Sequence, residues 1–533
     1  MSFSTYKNNN YGCSSINRNI IITRMVVLLL VIFITTSVES FTPMKSGIST
    51  PSVVQTSIHR LQDSSPFPSS STKTITTTDL WATIDNSDSN KNESNNVTME
   101  TSNTSKISLQ NIKNKRILVV GGSGRVGGSV VCNLLLHDAK VTVGGTNIES
   151  YQDSRSRWMN LYDSLSSKLL HDTDDSYDSI LSFAQLDRED SRSVSKILEQ
   201  NTYDLIVHTA GPFQGKVKSP NGVIKAAIAN GVPYIDVCDD YCTATAAKTK
   251  YNQKAIENNV PCILSTGCWP GVSSLMAKQL VTSVLKKHPN LKPRDLSVDF
   301  SFFTAGSGGA GSTLLVATFL ILAEKSLMIV NGRRKEVAAM KDYSKVNFGS
   351  IVGDKDVAHL NLLEAASVHD VLGVGNVKTL FGTAPGFWNT LLGAMAQLPS
   401  SLLSNEPIME KLALFSLPIV RVVDFFAGAT NAMRCDVYCE KDDQIREMAL
   451  YAHENLEPCV GECVVGFCAA LLGEAVQPGV YFPEEAIDAG NDAAEVLRLA
   501  SIGTHTLEVE SNSGLKKEDM WGISNEIGVI SFE

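Results

Sequence analysis

Arg116-Ile-Leu-Val-Val120 runs directly into Gly121-Gly-Ser-Gly-Arg-Val-Gly-Gly128, and this stretch decides the fold. Ile117 to Val120 form the continuous apolar run of a strand buried on both faces. Beyond the glycines, Val130, Val131, Leu134 and Leu135 recur at helical spacing. A G-x-G-x-x-G pattern gains meaning between a strand and a helix. Here Gly122 is expected to permit the tight turn, Gly124 to let backbone approach a pyrophosphate, and Gly127 to allow close helix–strand packing. Arg125 and Val126 open the helix, whose first N–H groups and partial positive charge suit phosphates. The competing reading is a glycine-rich turn with no ligand.

Outward from this loop the chain alternates strands and helices. Lys140 to Val143 ends in Gly144-Gly145-Thr146-Asn147, Leu181 to Leu186 in Asp187, and Asp204 to Thr209 in Ala210-Gly211-Pro212-Phe213. A helix over 221–230, a strand over Tyr234 to Cys238, another helix and a strand over Cys262 to Ser265 follow. That order predicts an α/β fold with a doubly wound parallel sheet. The strand-end residues Thr146, Asn147, Asp187, Ala210, Gly211 and Pro212 then face the cofactor. An NAD enzyme commonly carries Asp or Glu at the second strand end to hold the ribose 2′-OH. Thr146 and Asn147 stand there instead, with Arg155 and Arg157 shortly after, so NADP is favoured and NAD is the alternative. The two arginines could equally lie on a solvated helix face.

The 533 residues carry a net charge of −10, with 43% hydrophobic and 19% charged residues. That is ample for two or three globular domains and excludes a disordered chain. No net basic field is present for nucleic acid. Eleven cysteines without a dense framework read as reduced thiols. The apolar run Met25 to Ile34 follows Lys7, Arg18 and Arg24. It is too short to span a bilayer and suits a signal-peptide core; a short membrane anchor is the competing reading. Phe41-Thr-Pro43 then opens a Ser/Thr-rich, acid-poor stretch that looks like a transit peptide. The pair resembles the bipartite presequences that deliver proteins to plastids through the secretory pathway. The expected organisation is a signal peptide over 1–40, a transit peptide and disordered linker over 41–111 and the nucleotide-binding domain over 112–287. A substrate or dimerisation domain over 288–455 follows, then a C-terminal segment over 456–533 packing back on the core.

Several motifs, in order, resemble the saccharopine dehydrogenase-like oxidoreductases. They are Gly122-Ser-Gly-Arg-Val-Gly127, His208-Thr-Ala-Gly-Pro-Phe213, Gly231-Val-Pro-Tyr-Ile-Asp236 and Gly267-Cys-Trp-Pro-Gly271. Thr304 to Gly311, Phe381-Gly-Thr-Ala-Pro385 with Phe387-Trp388, and Gln477 to Pro483 are similar to the plant and algal branch. The resemblance implies a Rossmann domain bearing NAD(P) plus a mixed α+β domain closing over the nicotinamide. In the characterised branch, hydride transfer makes or breaks a C–N bond in an amino-acid adduct.

In the second half, Ala305-Gly-Ser-Gly-Gly-Ala-Gly311 leads into an apolar helix and reads as a close backbone approach. The apolar stretch from Phe387 to Phe426, broken by Pro399, Pro407 and Pro418, reads as core helices. An apolar channel or a peripheral membrane contact shares the alternative. Met433 to Cys439 alternates as a half-buried strand, on which Arg434 could clamp a substrate carboxylate. The C-x3-C pairs Cys238/Cys242, Cys435/Cys439 and Cys459/Cys463 lack the tighter spacing of structural zinc, so no metal is expected. No serine-hydrolase elbow or zincin motif occurs.

Ligands of open α/β sheets bind outside the carboxyl ends of the strands. Asp239, Asp240 and Tyr241 follow one such strand and are the candidate proton donors. The plainer reading is that Asp239 caps the next helix and Tyr241 packs against it. Trp269, Gly271 and Ser273 follow the next strand and are candidates for substrate binding, through a helix N-terminus. The leading expectation is an NAD(P)-dependent oxidoreductase acting on C=N or C=O of a small molecule. A non-catalytic NAD(P)H-binding scaffold or redox sensor is the alternative, and a homodimer is left open.

Overall fold

The computed structural model describes residues 105–166, 177–216, 222–306, 312–504 and 506–511. The signal- and transit-peptide readings fall outside these residues, as do Ser307 to Gly311 of the second glycine-rich loop.

The apolar runs become strands and the 3.6-residue patterns become the helices between them. In order come β1 (Arg116–Val120), α1 (Arg125–Leu136), β2 (Lys140–Gly145), α2 (Ile148–Ser166), β3 (Leu181–Gln185) and α3 (Ser191–Gln200). Then follow β4 (Leu205–His208), α4 (Gly222–Ala229), β5 (Tyr234–Asp236), α5 (Tyr241–Glu257), β6 (Pro261–Ile263) and α6 (Val272–Lys287).

The second part comprises β7 (Ser297–Ala305), α7 (Ser312–Ile321), β8 (Ser326–Val330), β9 (Arg333–Val337), β10 (Ser344–Asn347) and β11 (Asp354–His359). It continues with α8 (Glu364–Leu372), β12 (Asn376–Ala384), α9 (Phe387–Met395), α10 (Glu406–Ala427), β13 (Thr430–Cys439) and β14 (Asp442–His453). Last come α11 (Leu456–Leu472), β15 (Gly479–Tyr481), α12 (Asn491–Leu499) and β16 (Thr506–Ser511).

The first sheet has the order β15-β6-β5-β4-β1-β2-β3, parallel throughout. It is the doubly wound order, with its switch point between β1 and β4. The seventh strand, β15, comes from far along the chain and pairs Val480 with Cys262. The second sheet runs β10-β11-β12-β7-β13-β14-β16, with β8 and β9 off that path. It is mixed, β12 lying parallel to β7 and its other pairings antiparallel.

One continuous core joins the two sheets. Ile117 and Val119 of β1, Leu275 and Val281 of α6, Val464 and Phe467 of α11, and Phe300, Met433 and Tyr451 of the second sheet all belong to it. Helices α1, α6 and α11 are thus the middle layer of a sheet–helix–sheet stack. On the other face of the first sheet, α3, α4 and α5 bury Val194, Ile224, Ala247 and Tyr251. Helix α11 lies close on α1, since a Cβ at Gly461 would strike Ser129 Oγ.

Two sequence readings need correction. Residues 105–111, read as the end of a linker, are packed: Ile107 is buried, Ser105 Oγ donates to Asp492, and Asn111 Nδ2 donates to the Ala469 carbonyl oxygen. Two apolar residues, Ile107 and Leu109, are too few to establish a period, although they suffice as an anchor. Pro418 does not break the helix, because α10 runs through it. No helix among the described residues is long and apolar enough to cross a membrane.

Candidate functional site

The glycine loop lies at the switch point. Gly121 N–H donates to the Gly144 carbonyl, tying the loop to the end of β2. The positive φ of the turn, +83°, belongs to Gly121 and not to Gly122. Gly122 is instead a packing position, where a Cβ would stand 3.0 Å from Val143 and 3.1 Å from Val131. Gly127 sits where a Cβ would drive into the Gly121 carbonyl and lie 2.5 Å from Thr209 Oγ1. Gly124 differs: it is the N-cap of α1, and a Cβ there would meet only the Gly121 oxygen, at 3.2 Å. The space beside Gly124 is therefore open on the side where the first turn of α1 presents its N–H groups. Ser123 Oγ, buried in the same loop, has no hydrogen-bond partner. An open cradle, an unsatisfied hydroxyl and a helix N-terminus fit a dinucleotide diphosphate. Val126 packs into the core, and Arg125 Nε lies 2.8 Å from Glu457 Oε1 at the start of α11.

At the end of β2, Thr146 and Asn147 are exposed. Asn147 Oδ1 accepts from the Glu149 N–H, so it opens α2. Ser154 Oγ of α2 donates to the Ser123 carbonyl and accepts from Arg157 Nη2 at 3.1 Å, which sets Arg157 one side chain away from the glycine loop. Asp187 is exposed at the end of β3, where its Oδ1 accepts from the Glu189 N–H. Ala210 faces the loop: a Cβ at Gly121 would lie 2.7 Å from Ala210 Cβ. Gly211 and Pro212 are joined by a cis peptide, and a Cβ on Gly211 would come within 3.9 Å of Thr313, at the start of α7. The β4 loop therefore touches both the glycine loop and the second domain.

Beside it lies a cleft of about 190 Å³ between the two sheets' domains. One wall is Gln214, Asp239, Asp240 and Tyr241; the other includes Glu324, Lys325, Arg334, Glu336 and Asn361. All three candidate proton donors thus reach one cleft, in different roles. Asp240 is the N-cap of α5: Oδ1 accepts from the Cys242 and Thr243 N–H groups, and Oδ2 from Gly215 N–H and Thr243 Oγ1. Tyr241 bridges the domains. Its hydroxyl donates to Asp370 Oδ2 at 2.6 Å and accepts from Arg334 Nη2 at 2.9 Å, while Arg334 also lies 2.7 Å from Asp370. Asp239 is half-buried. Its carboxyl is pushed up to about 6, chiefly by desolvation, with the Asp240 and Glu324 carboxylates adding to the rise and a Gln214 hydrogen bond opposing it. Burial also raises Glu324, although Asn361 Nδ2 donates to it at 2.6 Å. A carboxyl near the middle of the physiological range beside a cofactor loop is suited to general acid work.

Trp269 packs edge-on against Phe302, with ring centroids 4.7 Å apart, and so wedges the β6 loop against the second sheet. Gly271 has φ +136°, and a Cβ there would drive into the Gly267 carbonyl, so its requirement is conformational. The Ser273 hydroxyl is fully buried and donates to Glu364 Oε1 of α8 at 2.7 Å. Arg434 holds Asp436 through two hydrogen bonds of 2.7 and 2.8 Å and donates to the Asn347 carbonyl. These partners take up its guanidinium on the second sheet, and Arg434 does not line the cleft. The clamp reading is thereby corrected. The cleft-lining Gln214, Glu324, Arg334 and Asn361 went unread in the sequence, because no spacing rule links them.

No curated protein matches the chain. Among solved structures, the chain is similar to apo saccharopine dehydrogenase (L-Glu forming) from Saccharomyces cerevisiae. The two are 12% identical, with 74% of this chain and 99% of that chain covered, at a TM-score of 0.48. An NADPH-bound short-chain oxidoreductase from Pseudomonas aeruginosa PAO1 is 15% identical over 28% of this chain and 70% of that one, at a TM-score of 0.22. Residues 117–263, from β1 to the end of β6, match the family model of the saccharopine dehydrogenase NADP-binding domain.

Proposed function

We propose that the chain is an NADP-preferring oxidoreductase that acts on a C=N or C=O group of a small metabolite held in the interdomain cleft. The observation that supports this reading most is placement. The glycine cradle and Asp239 lie on the carboxyl side of one parallel sheet, joined by the β4 loop. Gly124, Ser123 and the first turn of α1 would hold the diphosphate, with Thr146, Asn147 and Arg157 toward the 2′ position. A reduced nicotinamide supplies hydride when bound. Addition of hydride to C=N or C=O leaves a nitrogen or oxygen that needs a proton, and Asp239 would give it, its raised carboxyl lining the cleft. The clasp of Tyr241, Arg334 and Asp370 holds the two walls together.

Titration of the purified chain with NADPH and NADH by fluorescence should show NADPH bound about tenfold more tightly, since no carboxylate opposes a 2′-phosphate at the β2 end. Equal or reversed affinities defeat the NADP preference. Incubation with NADPH and a metabolite extract should then consume NADPH, with product masses identifying the substrate. Asp239→Asn should lower that turnover by about a hundredfold with NADPH affinity unchanged. Wild-type turnover should fall as pH rises through about 6, because Asp239 must be protonated to donate. Wild-type rates in the Asn variant would move the proton elsewhere. NADPH binding without consumption in any extract would favour the scaffold reading.

A further inference from the structure

The lining of the interdomain cleft is unbalanced in charge. It carries four carboxyl groups, Asp239, Asp240, Glu324 and Glu336, against two cations, Lys325 and Arg334. Both cations already stand against a carboxylate. Lys325 Nζ lies 2.9 Å from Glu336 Oε2, and Arg334 Nη2 lies 2.7 Å from Asp370 Oδ2 while also donating to Tyr241. A substrate carboxylate would have to take Lys325 from Glu336, or pull Arg334 out of the clasp that joins the two walls. On the acidic side, Asp240 is spent on the positive N-terminal end of α5, whose first N–H groups it caps. Asp239 and Glu324 remain, and among the described residues neither has a cation within ion-pair distance.

The hydrogen-bonding capacity is skewed the same way. Asn361 Nδ2 donates to Glu324 Oε2 at 2.6 Å, which leaves Oε1 open at the exposed end of the cleft. The Glu324 N–H donates to the Ile321 carbonyl oxygen in the turn that closes α7, so this carboxylate stands at the carboxyl end of that helix. The partial charge there is negative and favours a cation. On the facing wall, Gln214 donates to Asp239, while its amide oxygen is buried and has no hydrogen-bond partner. A buried acceptor left over in a cleft calls for a donor from outside the chain. Ile321, Leu327, Leu362 and Ala366 give the cleft its apolar lining. The space therefore offers spare acceptors, uncompensated negative charge and room for an aliphatic stem.

We propose that the substrate is a small aliphatic cation, with an ammonium group held at Glu324 Oε1 and set apart from the C=N or C=O that faces Asp239. The inference rests on the oxidoreductase reading and names the substrate class for the same cleft. The Gln214 amide oxygen accepts an N–H of the ligand, and the apolar residues cover the stem between its two ends. Pairing with the ammonium group offsets the Glu324 charge, which in the empty cleft stands uncompensated beside the Asp239 carboxyl. The amino-acid adducts that the family resemblance implies would instead bring carboxylates into a cleft whose cations are both taken.

The test uses the full chain as wild type and as Glu324→Gln and Glu324→Asp. A small-metabolite extract is separated by ion exchange into cation-retained, anion-retained and unretained fractions, and NADPH consumption is followed in each. The cation-retained fraction should carry at least about ten times the activity of either other fraction, since a lost charge pair in a cleft costs on the order of a tenfold affinity. With that fraction, Glu324→Gln should raise KM about tenfold while kcat and NADPH affinity stay within about twofold, the pattern of lost ground-state binding. Glu324→Asp, which keeps the charge, should recover most of the loss. A matched pair of probes reads the charge preference without turnover. By ligand-observed NMR, n-butylammonium should bind the NADPH-loaded wild type at least about tenfold more tightly than n-butyrate, and Glu324→Gln should close most of that gap. Activity confined to the anion-retained or unretained fraction overturns the cationic class, and the oxidoreductase reading then survives. Butyrate bound as tightly as butylammonium, or an unchanged KM in Glu324→Gln, overturns it equally. If no fraction consumes NADPH, the oxidoreductase reading itself fails and the substrate class falls with it, whatever the probes show.

Discussion

Gly124→Val should leave the fold standing and weaken NADPH binding by at least about a hundredfold, whereas Gly127→Val should cost the fold itself about 3 kcal/mol or more. The contrast follows from what each missing side chain would meet. At Gly124 the backbone has φ −72° and ψ 174°, which any residue adopts, and the nearest atom to a Cβ is the Gly121 oxygen at 3.2 Å. The rest of the valine would project into the cradle where a diphosphate must approach. At Gly127 a Cβ meets the Gly121 carbonyl and Thr209 Oγ1 inside the packed junction of α1 with β1 and β4. No rotamer change relieves a clash at Cβ. Thermal unfolding and NADPH fluorescence titration on both variants separate the two effects. Undiminished NADPH affinity in folded Gly124→Val would remove the loop from the cofactor site.

The distinction was only partly legible in the sequence. The run Ile117 to Val120, the glycines and the helical spacing of Val130 to Leu135 announce strand, loop and helix, because each is a local signal. The same holds for β2 to β6, whose apolar cores are bounded by turn residues. What fails is whatever depends on chain segments far apart. Strand β15 has three residues and counts as a strand only because Val480 finds Cys262. The turn's positive φ falls on Gly121 and not on Gly122, because adjacent glycines look alike until φ is known. Helix α10 passes through Pro418, with Val420 buried and Ser416 Oγ donating to the Leu412 carbonyl oxygen.

The candidate site divides along the same line. Asp239, Asp240 and Tyr241 could be named because a strand end in an open α/β sheet is a place defined by topology. Their division of labour could not. Asp240 is a cap because Gly215, Cys242 and Thr243 surround it, and Tyr241 is a clasp because Arg334 and Asp370 arrive from the second domain. Arg434 shows the converse, a side chain with suitable chemistry on a strand with suitable alternation, whose partner Asp436 lies two residues away on the same face. Glu364 carried no local signal at all.

Glu364 also makes the chain's stability depend on pH in a predictable direction. Its carboxyl is pushed up to about 7 in the fold by desolvation, from an ordinary value of 4.5 in the unfolded chain. Below the unfolded value both states hold the proton, and its contribution to stability is fully present. As pH rises above it, the unfolded chain releases the proton and the folded chain does not, so unfolding is increasingly favoured. The loss is complete once pH passes about 7 and the folded carboxyl ionises too. Its size is on the order of 3 kcal/mol, about 1.4 kcal/mol for each unit between the two values. Asp239 and Glu484, also raised, act in the same direction. His137, lowered to about 4 by burial, acts oppositely at acid pH, but it is common to wild type and variant. The difference between them therefore reports Glu364 together with its electrostatic coupling to Asp239 and Glu484. Thermal unfolding of wild type and Glu364→Gln should show the wild type the more stable at about pH 5, the gap closing through neutrality, and the variant the more stable at about pH 8.5. A gap that stays constant over that range would mean that Glu364 ionises in the fold as readily as in the unfolded chain, and that the buried cluster finds its compensation in some group other than a bound proton.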